Sequence, residues 1–242
     1  MALTRLTLTQ FRNHAASRLD GARQFNLLVG ENGAGKTNVL EALSLLAPGR
    51  GLRRAALADI PAHGGDGGFA VSADLASEVQ LGTGVRPDRP NRRVVQVNGA
   101  EAPALRLGEW LSVGWLTPAM DRLFAEGAGA RGRFLDRLVL ALEPGHARHA
   151  SRLESALRER NRLLGEAVEP DPAWLDALES QLVEAGALVA HARARLVARL
   201  AEALAVLPEA PFARPLLAYQ PGGPLDPAEL AQALRDGRRR DR

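Results

Sequence analysis

Hydrophobic and polar positions follow a strand-like pattern near the start of the chain, with one helical stretch inside it. LTRLTLTQF (3–11) alternates leucine with threonine, which predicts a half-buried strand. FNLLVG (25–30) is a short apolar run that ends at glycine, which predicts a fully buried strand. TNVLEALSLLA (37–47) predicts a helix with one apolar face, made of Val39, Leu40, Leu43 and Leu46.

Further short strands are predicted between residues 68 and 117. FAVSADL (69–75) alternates, and RRVVQVNGAEA (92–102) contains Asn98-Gly99, a pair typical of hairpin turns. SVGWLT (112–117) has the character of a buried strand. RPDRPNR (86–92) is predicted to be a loop because it is rich in proline and charge.

After residue 118 the apolar positions recur with a helical period. RGRFLDRLVLAL (131–142) and the stretch 147–166 predict helices. The stretch 173–204 predicts an amphipathic helix roughly 50 Å long, with apolar residues at 175, 178, 182, 185, 189, 192, 196 and 200. AVEPDP (167–172) separates the last two helices, so they are predicted to form an antiparallel hairpin.

These patterns predict an α/β fold with a mixed-sheet lobe over 1–120 and a helical lobe over 121–207. The segment 208–242 is rich in proline at its start and predicts no further element. Its last five residues, RRRDR, are interpreted as an exposed linker.

Composition narrows the function classes. The 242 residues contain no cysteine, which excludes disulfides, thiolate zinc sites and cysteine nucleophiles. No apolar run has the length of a signal peptide core or a membrane span, so a cytoplasmic protein without membrane contact is expected. A net charge of +3 gives only weak support for nucleic-acid binding.

The strongest motif is GENGAGKT (30–37), which fits the phosphate-loop pattern G-x-x-x-x-G-K-[ST] between a predicted strand and a predicted helix. Lys36 is the single lysine among 31 basic residues. A compact ammonium enters the curved cage of β- and γ-phosphate oxygens, whereas a planar guanidinium suits a flat bidentate partner. The predicted ATP and Mg²⁺ site, with Thr37 on Mg²⁺, consists of Gly30, Glu31, Asn32, Gly33, Ala34, Gly35, Lys36 and Thr37. The alternative is a glycine-rich turn that only caps a helix.

Other phosphate-loop classes fit less well. A GTPase reads guanine with an N-K-x-D motif, which is impossible because no second lysine exists. A small-molecule kinase should fold compactly around a substrate, and the long helical hairpin disfavours that class.

The chain resembles the RecF family of bacterial DNA replication and repair proteins. The resemblance rests on LTQFRNH, GENGAGKTNVLEALSLLAPGRGLR, FLDRLV, ESALRERNRLL, WLDALESQLVEAGALVAHAR and YQP, which occur in the order expected of that family. It implies a P-loop NTPase lobe like the heads of SMC and ABC ATPases, and a helical hairpin lobe. It also implies binding of ATP, binding of single-stranded or gapped DNA, an ATP-dependent homodimer, partners RecR and RecO, help with RecA loading, and the SOS response.

Two motifs that the resemblance leads one to expect are missing. LVLALE (138–143) mimics a Walker B strand, but its apolar residues share a helical face, and LSVG (111–114) mimics a signature helix but leads into WLTP. In the family both motifs come later, so a C-terminally incomplete sequence is expected, with 208–242 returning toward the absent part. The resemblance implies a weak DNA-dependent ATPase, while hydrolysis by this chain alone is not expected and no catalytic residue is assigned.

Several interpretations stay open. Arg12 and Asn13 follow the first strand and are equally compatible with a nucleotide-binding and a structural role. Nine arginines are candidates for DNA phosphate contacts: Arg131, Arg133, Arg137, Arg158, Arg160, Arg162, Arg193, Arg195 and Arg199. The alternative functions are a non-catalytic interaction module with a vestigial phosphate loop, or another SMC-like ATPase such as an overcoming-lysogenization-type nuclease.

Overall fold

The computed structural model describes residues 3–166 and 170–242, which form two compact units. The first unit extends to Asp121 and the second begins at Arg122. Within the described part of the chain, no helix is long and apolar enough to cross a membrane.

The first unit is built on a six-stranded sheet with the order β2-β1-β3-β4-β5-β6. All neighbouring strands are antiparallel, where a mixed sheet was predicted. The strands are β1 (Leu3–Phe11), β2 (His14–Asp20), β3 (Phe69–Leu75), β4 (Gln80–Arg86), β5 (Arg89–Val97) and β6 (Ala100–Glu101).

One face of this sheet is buried together with helix α1 (Lys36–Ser44) and the turn that follows it. Leu6 and Leu8 of β1 are buried, as the alternation predicts, and Ala42 and Leu46 meet the same cluster. Burying side chains of this size stabilises a fold by roughly 1.5–3 kcal/mol each. The sheet therefore fixes the helix that begins at the phosphate loop.

The buried face of α1 differs from the predicted one. Leu40 is 51% exposed, whereas Glu41 is 2% exposed. A carboxylate can point inward only if it is paired, and Arg12 and Arg53 both contact Glu41. The two arginines thus explain why the helix turns a charged residue toward the core.

The prediction of a buried strand at 25–30 is wrong. This segment is in no strand, and Phe25, Leu27 and Val29 are each more than 80% exposed. Among the described residues no strand lies beside it to receive its backbone hydrogen bonds. Only Leu28 packs against the core.

Other strand predictions met mixed outcomes. The Asn98-Gly99 turn is confirmed, with positive φ at both residues. Residues 112–117 form no strand, and Leu116 is 81% exposed. The predicted loop 86–92 is mostly strand, because β4 and β5 form a tight hairpin at 87–88.

Two strands, β2 and β4, were not predicted from the sequence. Strand β2 is polar and lies at the edge of the sheet, so it lacks an apolar signal. Strand β4 carries Gly82 and Gly84, which are poor strand formers. A Cβ at Gly84 would lie 2.2 Å from the Phe69 carbonyl oxygen, so glycine permits the close approach of β3 and β4.

The second unit is helical, as predicted for 121–207, but it also contains a helix in the segment 208–242, for which no element was predicted. It contains α2 (Ala128–Leu140), α3 (His146–Leu164), α4 (Pro172–Ala205) and α5 (Pro227–Gly237). The predicted stripe on α4 is confirmed, because Leu175, Leu178, Leu182, Ala185, Val189, Ala192 and Leu196 are buried and Leu200 packs beside them. Helices α3 and α4 run antiparallel, since Arg152 contacts Glu184 while Arg160 contacts Glu179. Residues 167–169 of the predicted separator lie outside the described residues.

The interpretation of the C-terminal end as an exposed linker is wrong for part of it. Arg160 is 3% exposed and donates to Glu179, to Asp241 and to the Leu234 carbonyl. Arg238 donates to Glu179, and this hydrogen bond raises the pKa of the Arg238 guanidinium. We call these four charged residues, Arg160, Glu179, Arg238 and Asp241, the tail cluster. It joins α5 and the last residues to the α3–α4 hairpin.

The Walker B mimic at 138–143 forms no strand, and its first three residues are the end of helix α2, as its apolar face leads one to expect. Helix α2 ends at Leu140, and Glu143 pairs with Arg195 instead. His146 is buried beside Asp136, at 2.8 Å from a carboxylate oxygen. Burial alone would raise the pKa of Asp136, but hydrogen bonds from His146 and Arg193 lower it. No group of three or more metal-ligating side chains occurs among the described residues.

Candidate functional site

The predicted phosphate loop precedes α1 directly. Gly35 is the N-cap of α1 and has a φ of 94°, and Gly33 has a φ of 88°. Both values lie in the left-handed region that glycine adopts without strain. The first backbone N–H groups of α1 have no acceptor within the helix and form its positive end. This arrangement is suited to binding an anion.

Lys36 crosses the loop. Its Nζ donates to the carbonyl oxygens of Gly30 and Glu31, at 2.7 Å in both cases. Thr37 is exposed in the first turn of α1. An ammonium and a hydroxyl therefore lie at the same end of the helix.

The turn between β1 and β2 lies against the loop. Asn13 Nδ2 donates to the Gly33 carbonyl at 2.9 Å, and His14 Nε2 lies 3.3 Å from the Gly35 carbonyl. Ser17 Oγ is 2.8 Å from His14 Nδ1, which holds the imidazole in this orientation. The FRNH sequence thus positions the phosphate loop through two side chains.

Arg12 of the same turn reaches the side of α1. Its Nε and Nη2 donate to the two carboxylate oxygens of Glu41, at 3.0 and 2.6 Å, and its Nη1 donates to the Asp59 carbonyl at 2.6 Å. Arg53 donates to the same carboxylate at 2.8 Å and to Asn38 Oδ1 at 2.9 Å. Two guanidinium groups consequently share one buried carboxylate.

These side chains line a cavity next to the loop. Its polar wall is formed by Gln10, Arg12, Asn13, Asn38, Arg53, Asp59 and His63. Glu41 and the Asp59 carboxylate together balance the formal charge of the two arginines. The guanidinium donors of the wall nevertheless suit a ligand that is rich in acceptors, such as a phosphate group.

The far end of α1 is held by Arg93 of β5. Its Nη1 donates to the Gly49 carbonyl at 2.6 Å, its Nη2 to the Leu45 carbonyl, and its Nε to Thr83 Oγ1 at 2.8 Å. Burial lowers the pKa of Arg93 to about 10, so the guanidinium is still charged at neutral pH. Carbonyl groups after the helix end therefore compensate this charge.

Gly35→Ala should destabilise the protein more than Gly33→Ala. Both substitutions place a Cβ at positive φ, which costs about 1 kcal/mol. At Gly35 the Cβ would also lie 2.4 Å from His14 Nε2 and 2.7 Å from Asn13 Oδ1, whereas at Gly33 it meets nothing within 4 Å. We expect an additional loss of about 1–3 kcal/mol for Gly35→Ala. Urea denaturation of the two variants measures the difference, and equal losses would contradict the close packing of the β1–β2 turn on the loop.

The eight predicted site residues lie together in the loop and first turn, and Arg12 and Asn13 lie beside them. The sequence interpretation missed Glu41, Arg53 and Arg93. A charged residue within the apolar run of α1 was the available signal for Glu41. Of the nine arginines proposed for DNA, Arg160 is buried in the tail cluster and that prediction is wrong. Arg193 pairs with Asp136.

Comparison with known proteins gives consistent results. Residues 25–86 match the family model described as AAA domain, putative AbiEii toxin, Type IV TA system. The DNA replication and repair protein RecF of Mesorhizobium japonicum is 50% identical over 212 residues, covering 86% of this chain and 56% of the relative. RecF of Caulobacter vibrioides is 43% identical over 262 residues, covering 99% of this chain and 68% of the relative.

Solved structures agree on the fold. The recombination mediator protein RecF-ATP in the RecFOR pathway has a TM-score of 0.78 at 22% identity, covering 99% of this chain and 68% of that chain. RecF-ATPrS has a TM-score of 0.70 at 25% identity, covering 84% and 56%. The predicted α/β P-loop ATPase fold is confirmed. This chain spans between about half and two thirds of the length of the relatives that it matches.

Proposed function

The chain belongs to the RecF family of DNA replication and repair proteins, and from this premise we propose that it binds ATP at residues 30–37 and acts in recombinational DNA repair. ATP is bound in one relative, the solved RecF-ATP. With ATP bound, the Lys36 ammonium would donate to phosphate oxygens instead of to the two loop carbonyls. The loop backbone and the start of α1 supply the remaining N–H donors.

One observation carries the proposal above the others. The ammonium of Lys36 spans the loop between Gly30 and Glu31, at the positive end of α1. The chain uses arginine at every other basic position, so this one holds the residue type that a phosphate cage requires. The family membership is independent of that geometry and supports the same ligand.

Mg²⁺ fits the same site. Thr37 presents the only hydroxyl of the motif, and Mg²⁺ prefers oxygen ligands shared with nucleotide phosphates. When bound, the ion neutralises phosphate charge. Thr37 would hold it, and Lys36 would bind the phosphate oxygens that the ion leaves free.

We further propose binding of single-stranded or gapped DNA, an ATP-dependent homodimer, and action with RecR and RecO in RecA loading and the SOS response. The RecFOR pathway of the solved relatives supports the partners. Arg133, Arg158 and Arg199 are exposed on the helices and are candidates for phosphate contacts. A cytoplasmic location and weak DNA-dependent ATPase activity of the whole protein stay predictions.

Isothermal titration calorimetry of this chain with ATP and Mg²⁺ tests the proposal. We expect one ATP per chain, weaker binding of AMP, and a loss of affinity when Mg²⁺ is removed. AMP is the matched control because it keeps the base and ribose but lacks the β- and γ-phosphates that Lys36 binds. Equal affinities for ATP and AMP would contradict binding of the β- and γ-phosphates by the loop. They would favour the alternative of a non-catalytic interaction module with a vestigial phosphate loop.

A further inference from the structure

Arg53 has hydrogen-bond donors that the described part of the chain leaves unused. Its Nη1 donates to Asn38 and Glu41, while Nε and Nη2 have no partner among the described residues. The side chain is 41% exposed and forms part of the wall of the cavity beside the phosphate loop. A guanidinium has five N–H donors in a planar fork. One edge is therefore anchored and the other is available to a ligand.

Glu41 sets the position of this guanidinium. Its carboxylate is 2% exposed and accepts from Arg12 through two parallel hydrogen bonds and from Arg53 through one. The bidentate partner, Arg12, also donates to the Asp59 carbonyl, so each of its three nitrogens is engaged. Within this group of three, the uncommitted donors therefore lie on Arg53, while the Asp59 carboxylate also lines the cavity.

Two amides connect Arg53 to the phosphate loop. Asn38 Oδ1 accepts from Arg53, and Asn38 Nδ2 donates to Asn13 Oδ1 at 2.7 Å. Asn13 Nδ2 in turn donates to the carbonyl of Gly33. Each amide uses its oxygen and nitrogen in one consistent direction, so a continuous chain of hydrogen bonds links Arg53 to the loop.

We propose that Arg53, positioned by Glu41 and Asn38, binds a phosphate group in this cavity, next to the phosphate bound by the loop. Phosphate oxygens match the planar fork of a guanidinium in a bidentate manner. The group comes either from the bound nucleotide or from a nucleic-acid strand. This inference rests on the proposed function, because Asn13 of the cavity wall donates to Gly33 of the nucleotide site.

The test compares Arg53→Gln with Arg54→Gln. Both remove one positive charge at adjacent positions, but Arg54 is not part of the cavity wall. Loss of a charge-assisted hydrogen bond lowers affinity by roughly ten-fold or more. Calorimetry with ATP and fluorescence anisotropy with a single-stranded oligonucleotide, without nucleotide, distinguish the two sources. A ten-fold loss for Arg53→Gln alone supports the proposal in whichever titration it occurs.

Equal behaviour of the Arg53 and Arg54 variants in both titrations would overturn the inference. Lys36→Ala is titrated in parallel, so that a failure of the Arg53 inference can be told from a failure of the proposed ATP site. If Lys36→Ala loses its affinity for ATP and Arg53→Gln does not differ from its control, the nucleotide site stands and the inference fails. If Lys36→Ala keeps its ATP affinity, the proposed function itself fails.

Glu41→Gln tests whether Glu41 positions Arg53, because the two explanations predict opposite changes in the affinity for the anion. Removing a negative charge should strengthen binding of an anion if charge alone mattered, whereas misplacing Arg53 should weaken it. We expect weaker binding in the titration that responds to Arg53→Gln, and no further loss when both substitutions are combined. Tighter binding, or losses that add, would contradict the role of Glu41. Urea denaturation confirms that each variant is folded.

Discussion

Lys36→Ala is expected to lower the affinity for ATP by roughly a hundred-fold or more while leaving the protein folded. The ammonium makes charge-assisted hydrogen bonds to phosphate oxygens, each worth about 1.5–3 kcal/mol, and two of them disappear. The fold should persist because Nζ contacts only two loop carbonyls at the surface. Calorimetry with Mg²⁺-ATP measures the affinity, and circular dichroism checks the fold. In the proposed homodimer, ATP-dependent association should be lost in the same variant.

Lys36→Arg is the informative control for this result. It keeps the positive charge but replaces a compact ammonium by a planar fork that does not match the curved phosphate cage. We expect an affinity at least about ten-fold below that of the unchanged protein. Full retention of ATP binding by Lys36→Arg would show that charge alone suffices at this position. Unchanged binding by Lys36→Ala would remove the basis of the nucleotide site.

Arg160→Ala should destabilise the helical unit by about 3 kcal/mol, because hydrogen bonds to two carboxylates, each worth about 1.5–3 kcal/mol, are lost while Arg238 still pairs with Glu179. Arg160 and Glu179 are both at most 5% exposed, and Arg160 also binds Asp241 and the Leu234 carbonyl. The substitution therefore loosens α5 as well as the α3–α4 contact. Urea denaturation followed by far-ultraviolet circular dichroism measures the loss.

Arg158→Ala is the matched control for the tail cluster. It lies on the same helix, but its side chain is 69% exposed and its contact to Glu154 spans 3.4 Å on the surface. Exposed ion pairs of this kind contribute about 0–1 kcal/mol. If the two variants unfold at the same urea concentration, the tail cluster does not stabilise the unit.

The sequence predicted the helices better than the sheet, and the reason lies in how far each element depends on distant partners. The stripe on α4 repeats over many turns, so its apolar face is evident without knowledge of what covers it. Residues 25–30 have the composition of a buried strand, but burial requires neighbouring strands, and none lies beside them among the described residues. The sequence of residues 25–30 alone could not show that these neighbouring strands are missing.

In the candidate site, too, contiguous features could be predicted from the sequence and features that depend on distant residues could not. The phosphate loop is contiguous, so its residues and their spacing are sufficient to identify it. Glu41, in contrast, is buried only because Arg12 and Arg53, which are 29 and 12 residues away, converge on it. Helix α5 was missed because its first turn follows several prolines and its last residues look like a solvated basic tail. Arg160, which donates to its Leu234 carbonyl, and Glu179, which accepts from Arg238 just after it, are remote in sequence.

The exposed segment around Phe25 has a practical consequence for handling the protein. Three large apolar side chains alternate along a stretch without proline that pairs with no strand among the described residues. An unpaired apolar stretch of this kind can serve as a template for adding a strand from another molecule. Concentrated preparations of the chain will therefore tend to form intermolecular β-structure and precipitate. Charged residues placed at alternate positions of this segment would be the direct remedy for crystallisation or spectroscopy.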